Sequence, residues 1–292
     1  MQSAMFEKIE VFAPAKINLY LHILGRRPDG FHELETLMAP ISVGDTLTAG
    51  LTPEPGVVLT CEGGGADLPV DPTNLASRAA ALFLDQYNIK EGVRLHLLKK
   101  TPIGAGLGGG SSDAAHVLLA LRKLTGVAAS DADLAAIAAK LGSDIPFFIY
   151  RRPAVCRGRG EIIEPVADWN EKLRGLLIHP GFGVPTPWAY KAYAENPRQG
   201  EPGAAFAFGI LRNDMEPAVF AKHLWLPTAK AWLAEQPGVR GALMSGSGSS
   251  VFALLDETTD AAALAVRFRA AFGESIFAEP FEVLAGGEVW AK

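Results

Sequence analysis

Apolar and polar residues alternate from Lys16 onward, with Ile17, Leu19, Leu21 and Ile23 set between Lys16, Asn18, Tyr20 and His22. Period two predicts a half-buried strand, with Lys16 and Asn18 on the face opposite the aliphatic row. The strand stops at Gly25-Arg26-Arg27-Pro28-Asp29-Gly30, a turn shaped by its Pro and Gly. Residues 41–70 place Pro53, Pro55, Gly56, Gly63, Gly64 and Gly65 between short apolar runs, which predicts strands and hairpins. Helical spacing then takes over. Asp71-Pro72-Thr73-Asn74-Leu75 leads into an Ala-rich helix through about Tyr87, with Asn74 a good N-cap. Val117, Leu118, Leu121 and Leu124 mark a second helix, stopped by Gly126. Leu134, Ile137 and Leu141 mark a third, entered through the capping-box sequence Ser130-Asp131-Ala132-Asp133 and ended by Gly142. Leu176-Leu177-Ile178 and Val251–Leu255 are unbroken apolar runs of buried-strand type.

The chain's 292 residues exceed the size at which one core keeps growing, so two domains are expected. The change-over is placed in the basic stretch Arg151, Arg152, Arg157 and Arg159, read as a solvated linker face, giving domains 1–160 and 161–292. A net charge of −5 argues against a general nucleic-acid surface. Cys61 and Cys156 lie far apart, with no metal-ligand spacing, which points to a reducing compartment without a disulfide framework. No apolar run approaches the ~20 residues that cross a bilayer. Met1–Lys8 has neither a signal-peptide core nor transit character, so a cytoplasmic protein that engages no membrane is expected.

The candidate chemistry centres on Lys99-Lys100-Thr101-Pro102-Ile103-Gly104-Ala105-Gly106-Leu107-Gly108-Gly109-Gly110-Ser111-Ser112-Asp113. Five glycines between Gly104 and Gly110 free the backbone to turn its N–H groups outward. Ser111, Ser112 and Asp113 are N-cap types for the helix that follows. A flexible loop opening into a helix N-terminus suits a phosphate. The P-loop pattern fails, because Gly110 is followed by Ser111 and no lysine intervenes. Gly104, Gly106 and Gly109 satisfy G-x-G-x-x-G, but no second strand ending in an acid follows the helix. A non-catalytic nucleotide or redox domain remains the alternative on that match.

Pro-x-x-x-Gly-Leu-Gly-Gly-Gly-Ser-Ser-Asp-Ala-Ala resembles the nucleotide-binding motif of the GHMP kinases. Its Gly-Gly-Gly-Ser-Ser form is most similar to the branch that phosphorylates a diphosphocytidyl methylerythritol in the non-mevalonate isoprenoid route. Three further stretches resemble that family in its order: Pro14-Ala15-Lys16-Ile17-Asn18-Leu19, Gly142-Ser143-Asp144-Ile145-Pro146-Phe147-Phe148, and Ser245-Gly246-Ser247-Gly248-Ser249-Ser250. The likeness runs from Pro14 to about Phe252. It implies a two-domain α+β fold, with a ribosomal protein S5 domain 2-like N-terminal domain and a ferredoxin-like C-terminal domain, and a site between them. Asn213-Asp214-Met215-Glu216 resembles another family signature, opening a helix of the second domain.

The resemblance implies an ATP-dependent kinase whose γ-phosphoryl group goes to the 2-hydroxyl of the diphosphocytidyl alcohol. ATP would be held by Pro102, Ile103, Gly104, Ala105, Gly106, Leu107, Gly108, Gly109, Gly110, Ser111 and Ser112, with Asn74, Leu75 and Lys99 lining the adenine pocket. From the residues alone, Asn74 could equally be a cap and no more. Asp144 would take the hydroxyl proton. It is set beside large apolar residues; the alternative is that it only caps a helix with Pro146 in its first turn. Lys16 would orient Asp144 and offset charge on the γ-phosphate; otherwise it is a solvated strand lysine. Asn18, Phe31, His32, Thr186, Tyr190, Gly246, Ser247 and Gly248 would contact the acceptor. Phe31 stands where the family usually has Tyr, and it keeps a stacking face without a hydroxyl. Tyr190 would supply the second aromatic wall for cytosine, though without the family it reads as a helix aromatic. Mg²⁺ would be held through the nucleotide phosphates, with no protein metal cluster foreseen. The implied partners are the acceptor and ATP, with no nucleic acid, and the chain acts as a monomer or weak homodimer. A GHMP kinase for a mevalonate-like or sugar acceptor is the nearest alternative.

Overall fold

The computed structural model describes residues 7–64 and 68–287, so most of the stretch read for a leader, and Gly65, lie outside the described residues. The alternating run belongs to β1 (Lys8–Arg26), which pairs antiparallel with β2 (His32–Thr52). Then follow β3 (Val57–Gly63), α1 (Leu75–Gln86), β4 (Gly92–Lys99), α2 (Gly109–Thr125), α3 (Asp131–Ala139), α4 (Ile145–Tyr150), β5 (Ala154–Gly158) and β6 (Ile162–Pro165). The sheet order is β1-β2-β4-β3, with β5 on another length of β2 and β6 beyond it. β3 runs parallel to β4 and does not pair with β2, so the hairpin expected within 41–70 is replaced by a crossover through α1. Two helices follow α2 before any strand, which removes the dinucleotide alternative.

The basic stretch also departs from expectation, for it runs from the end of α4 through β5 into the turn before β6. Arg157 sits on β5 and pairs with Glu35 at 3.0 Å and with Glu164, while Arg151 pairs with Asp131 at 2.8 Å. Cross-strand carboxylates account for Arg157, and the first turn of α3 accounts for Arg151, where a solvated linker does not. The division expected after residue 160 falls inside the β5–β6 hairpin, and the chain leaves this sheet after Pro165.

The second half forms β7 (Arg174–His179), α5 (Thr186–Glu195), β8 (Ala205–Phe206), β9 (Gly209–Ile210), β10 (Arg212–Asn213), α6 (Glu216–Phe220), α7 (Trp225–Ala234), β11 (Val239–Met244), β12 (Val251–Leu255), α8 (Ala261–Phe272) and β13 (Phe277–Glu282). β11-β12-β7-β13 make an antiparallel sheet with helices between β7 and β11 and between β12 and β13, the ferredoxin-like order. β12 explains its own sequence. Val251, Ala253 and Leu255 pack with the helices, while Phe252 and Leu254 pack toward β1 and β2, so both faces are apolar. β10 crosses back to pair parallel with β1 at Tyr20 and Leu21.

β1 is not the simple two-faced strand that the alternation predicts. Its pairing with β2 shifts between Pro14 and Lys16 and again between Asn18 and Tyr20. Each shift turns the odd-numbered row over. Val11 therefore packs with α1 and α2, Ile17 and Leu19 pack against the second sheet, and Leu21 and Ile23 join the core under α5–α8. Lys16 and Asn18 are buried, at 4% and 2% exposure, rather than solvated.

Candidate active site

A cavity of about 480 Å³ lies between the two sheets and the start of α2. Lys16 and Asn18 reach its wall from β1. The Lys16 backbone N–H donates to the Leu107 carbonyl at 2.9 Å, fixing the strand to the glycine loop. Its ammonium donates to Asn18 Oδ1 at 2.6 Å; Asn18 Nδ2 donates to Thr36 Oγ1 at 2.8 Å, and that hydroxyl donates to the Tyr20 carbonyl at 2.5 Å. Burial pulls the Lys16 pKa below the ordinary lysine value, and nearby Asp144 works against that pull. Asp144 is half-buried on the same cavity and makes no capping bond to α4, so the capping role is not the one it has. Lys16 and Asp144 share the cavity without closing an ion pair; the amide of Asn18 orients the lysine instead.

The loop between β4 and α2 requires its glycines where it is most crowded. Gly106 has φ +74°, and a Cβ there would come 2.3 Å from the Ser245 carbonyl. Gly108 has φ +68°, and a Cβ there would meet the Phe148 ring at 2.9 Å. Gly108 is also the N-cap, so α2 begins earlier than its polar residues suggest. Ser112 N bonds the Gly108 carbonyl at 2.8 Å, and the N–H groups before it lack intrahelical partners. With the positive end of the helix dipole, they form an anion site. Ser111 faces the cavity. Ser112 does not: it is fully buried, with its hydroxyl 3.3 Å from His116 Nδ1, because its position in the helix turns it inward.

The remaining nucleotide residues, from Pro102 through Gly110 together with Asn74, Leu75 and Lys99, line the same cavity. Asn74 is the α1 cap, with Oδ1 accepting from Ala76 N and Nδ2 donating to the Pro69 carbonyl. The Lys99 ammonium is bound by Asp45 and by Asp113, the latter at 2.6 Å. Asp45 also accepts from the N–H groups of Lys100 and Thr101 at 2.6 and 2.8 Å, which anchors the start of the loop. Burial works against the Lys99 charge, but the two carboxylates outweigh it and raise its pKa. Burial pushes the Asp113 carboxyl up to about 7, against the pull of Lys99.

The segment after β11 closes the other side. Ser245 Oγ donates to the Gly106 carbonyl at 3.0 Å, and Ser250 N donates to the Ala105 carbonyl at 3.0 Å. Gly246 and Ser247 line the cavity, and Ser247 Oγ lies 2.9 Å from Thr186 Oγ1. Gly248 is not on the cavity; a Cβ there would meet Met244, Val184 and Val219, so it supports the turn from behind. Asn213 holds the turn by donating to the carbonyls of Met244 and Gly246 at 2.8 and 2.7 Å.

A second cavity of about 520 Å³ adjoins the first and contains Phe31, His32, Thr186 and Tyr190. His32 is stacked on Tyr190, with ring centroids 5.3 Å apart and planes 25° from parallel. Phe31 is 53% exposed, with the Arg159 guanidinium 4.9 Å over its ring.

The sequence reading passed over Asp45, Thr36 and the holding role of Asn213. Asp45 left one signal, a lone acid in an apolar strand run. Thr36 left none, since its partners are set by strand pairing, and Asn213 was marked only as part of a helix-opening signature, with nothing to point to the turn it holds.

Residues 74–152 match the GHMP kinases N terminal domain, and residues 200–274 match the GHMP kinases C terminal domain. The 4-diphosphocytidyl-2-C-methyl-D-erythritol kinase of Methylacidiphilum infernorum (isolate V4) is 50% identical over 251 residues, covering 85% of this chain and 87% of that protein. A crystal structure of 4-(cytidine 5'-diphospho)-2C-methyl-D-erythritol kinase superposes with a TM-score of 0.76 at 35% identity, over 96% of this chain and 100% of that one. A homoserine kinase from Cytophaga hutchinsonii shares the fold, with a TM-score of 0.72 at 21% identity, over 100% of this chain and 99% of that one.

Proposed function

The chain belongs to the 4-diphosphocytidyl-2-C-methyl-D-erythritol kinases of the GHMP superfamily, and from that premise we propose how its residues carry the reaction. It transfers the γ-phosphoryl group of ATP to the 2-hydroxyl of 4-diphosphocytidyl-2-C-methyl-D-erythritol. One observation carries the assignment of roles: Lys16 and Asp144 line the same cavity as the glycine loop and the N-terminus of α2.

Phosphoryl transfer asks mainly for alignment and charge stabilisation. The N–H groups at the start of α2 receive the β- and γ-phosphates. Asp144, free of capping bonds, accepts the proton of the attacking hydroxyl. Lys16, fixed through Asn18, offsets charge on the transferred group. Asn74, Leu75 and Lys99 border the adenine end, and Thr186, Ser247, Phe31, His32 and Tyr190 border the acceptor. Hard oxygen donors are available to Mg²⁺ in the Asp144 carboxylate and the Ser111 hydroxyl, both on the cavity. Bound there with the nucleotide phosphates, it would neutralise their charge. A monomer or weak homodimer is part of this reading. No helix among the described residues is long and apolar enough to cross a membrane, and a cytoplasmic site of action is part of this reading.

The test is a coupled ADP-release assay across acceptor alcohols: the diphosphocytidyl methylerythritol, mevalonate, homoserine and galactose. Turnover is expected with the first at a kcat/KM at least about a hundredfold above the rest, the size of discrimination that a site hydrogen-bonding its substrate exceeds. Preference for mevalonate or a sugar would overturn the acceptor.

A further inference from the structure

The two cavities meet along a wall made by Leu34, Asp144, Arg159, Thr186 and Tyr190. If the acceptor proposed above is correct, its hydroxyl lies at Asp144 and its base lies among Phe31, His32 and Tyr190. The diphosphate joining them then passes this wall. Among the described residues shared by both cavities, Arg159 is the one cation.

Arg159 is built to be presented here. It sits in the turn between β5 and β6, flanked by Gly158 at φ +73° and Gly160 at φ +108°. A Cβ on Gly160 would lie 3.6 Å from Asp144 Oδ1, so the turn abuts the proposed base. The guanidinium is lightly held. Its Nε lies 3.5 Å from Glu161 Oε1, and it otherwise rests over the Phe31 ring. The same Glu161 carboxylate accepts from the Arg159 backbone N–H at 2.5 Å, which fixes the turn rather than the side-chain tip.

A guanidinium over an exposed ring is weakly bound, whereas its planar fork on phosphate oxygens is among the strong charge-assisted pairs. The aromatic wall supplies the second half of the argument. His32 and Tyr190 are already in contact and leave no gap for a base, so an arriving base needs the face of Phe31. Arg159 covers that ring.

We propose that Arg159 binds the acceptor's diphosphate, and that leaving Phe31 to do so uncovers the ring on which the base stacks. One side-chain movement then supplies the counter-charge and opens the stacking surface. Bases lacking a diphosphate do not trigger it.

The experiment is isothermal titration of CDP and of cytidine into protein whose glycine-loop end is saturated with ADP. Wild type is expected to bind CDP at least about tenfold more tightly than cytidine, the range of a charge-assisted hydrogen bond. In Arg159→Gln the ratio should fall to within about twofold, because cytidine gains from the uncovered ring while CDP loses its counter-charge, with ADP affinity unchanged. Arg159→Lys, which keeps the charge without the fork, should fall between them. A wild-type CDP-to-cytidine ratio in both variants would overturn the proposal while leaving the acceptor assignment standing. Wild type that binds ADP but neither CDP nor cytidine would overturn the acceptor assignment, and this inference with it.

Discussion

Two buried lysines line one cavity, and their surroundings differ in kind. Lys99, 8% exposed, is clamped by the carboxylates of Asp45 and Asp113. Lys16, 4% exposed, is held by the neutral amide of Asn18, with Asp144 near but unpaired. Burial disfavours both charges; two acids reverse that at Lys99, and nothing reverses it at Lys16. The Lys99 charge is consumed within the fold and joins β2, the loop and α2. The Lys16 charge is kept in reserve for an anion that the protein does not itself contain.

The comparison can be broken from either end. Lys99→Met strands two buried carboxylates and should lower stability by about 3–5 kcal/mol, read from urea midpoints. Lys16→Met removes a buried charge without an acidic partner and should keep or exceed the wild-type midpoint. Equal losses in the two would erase the distinction. Activity should reverse the order: Lys16→Ala and Asp144→Asn are each expected to cut turnover by at least about a hundredfold while ATP still binds. Near-normal turnover in both would remove them from the chemistry.

A smaller effect, about 2 kcal/mol, concerns pH, because α2 carries two groups with opposite slopes. Folded Asp113 keeps its proton up to about 7 against an ordinary 3.8, so it makes stability fall as pH rises across that window. Buried His116 stays neutral down to about 4 against an ordinary 6.5, so it makes stability rise with pH between those values. From about 4 to 6.5 the two oppose each other. Asp113→Asn should therefore steepen the rise of stability with pH in that range, and His116→Gln should turn it into a fall. Variant curves parallel to wild type would contradict this. Smallest is Asn18→Leu, expected to lower kcat about tenfold, the worth of one hydrogen bond to a charged group.

Legibility followed the same division. Lys16 and Asp144 stood out because short motifs surround them, and both line the cavity. Lys99 was visible only as a neighbour of the loop, since its partner Asp45 lies 54 residues away and is brought to it by strand pairing. Two strands of the second sheet, β7 and β12, were readable as unbroken apolar runs, and the helices α1 to α3 from capped periodicity. Period two failed in β1, where the register shift between Asn18 and Tyr20 divides the row Ile17, Leu19, Leu21 and Ile23 between two cores. Ser112 was misplaced because a glycine took the cap that three polar residues seemed to offer. Local composition cannot report either event, since each is decided by the element packed opposite.

The short strand at Arg212–Asn213, which lies along β1, has a consequence for synthesis. Until those two residues leave the ribosome, Tyr20 and Leu21 present unpaired main-chain groups on the edge of a sheet whose other strands have already been made. The N-terminal half is thus a nascent chain with a sticky border during translation. Expressed alone, it would meet its own copies at that border.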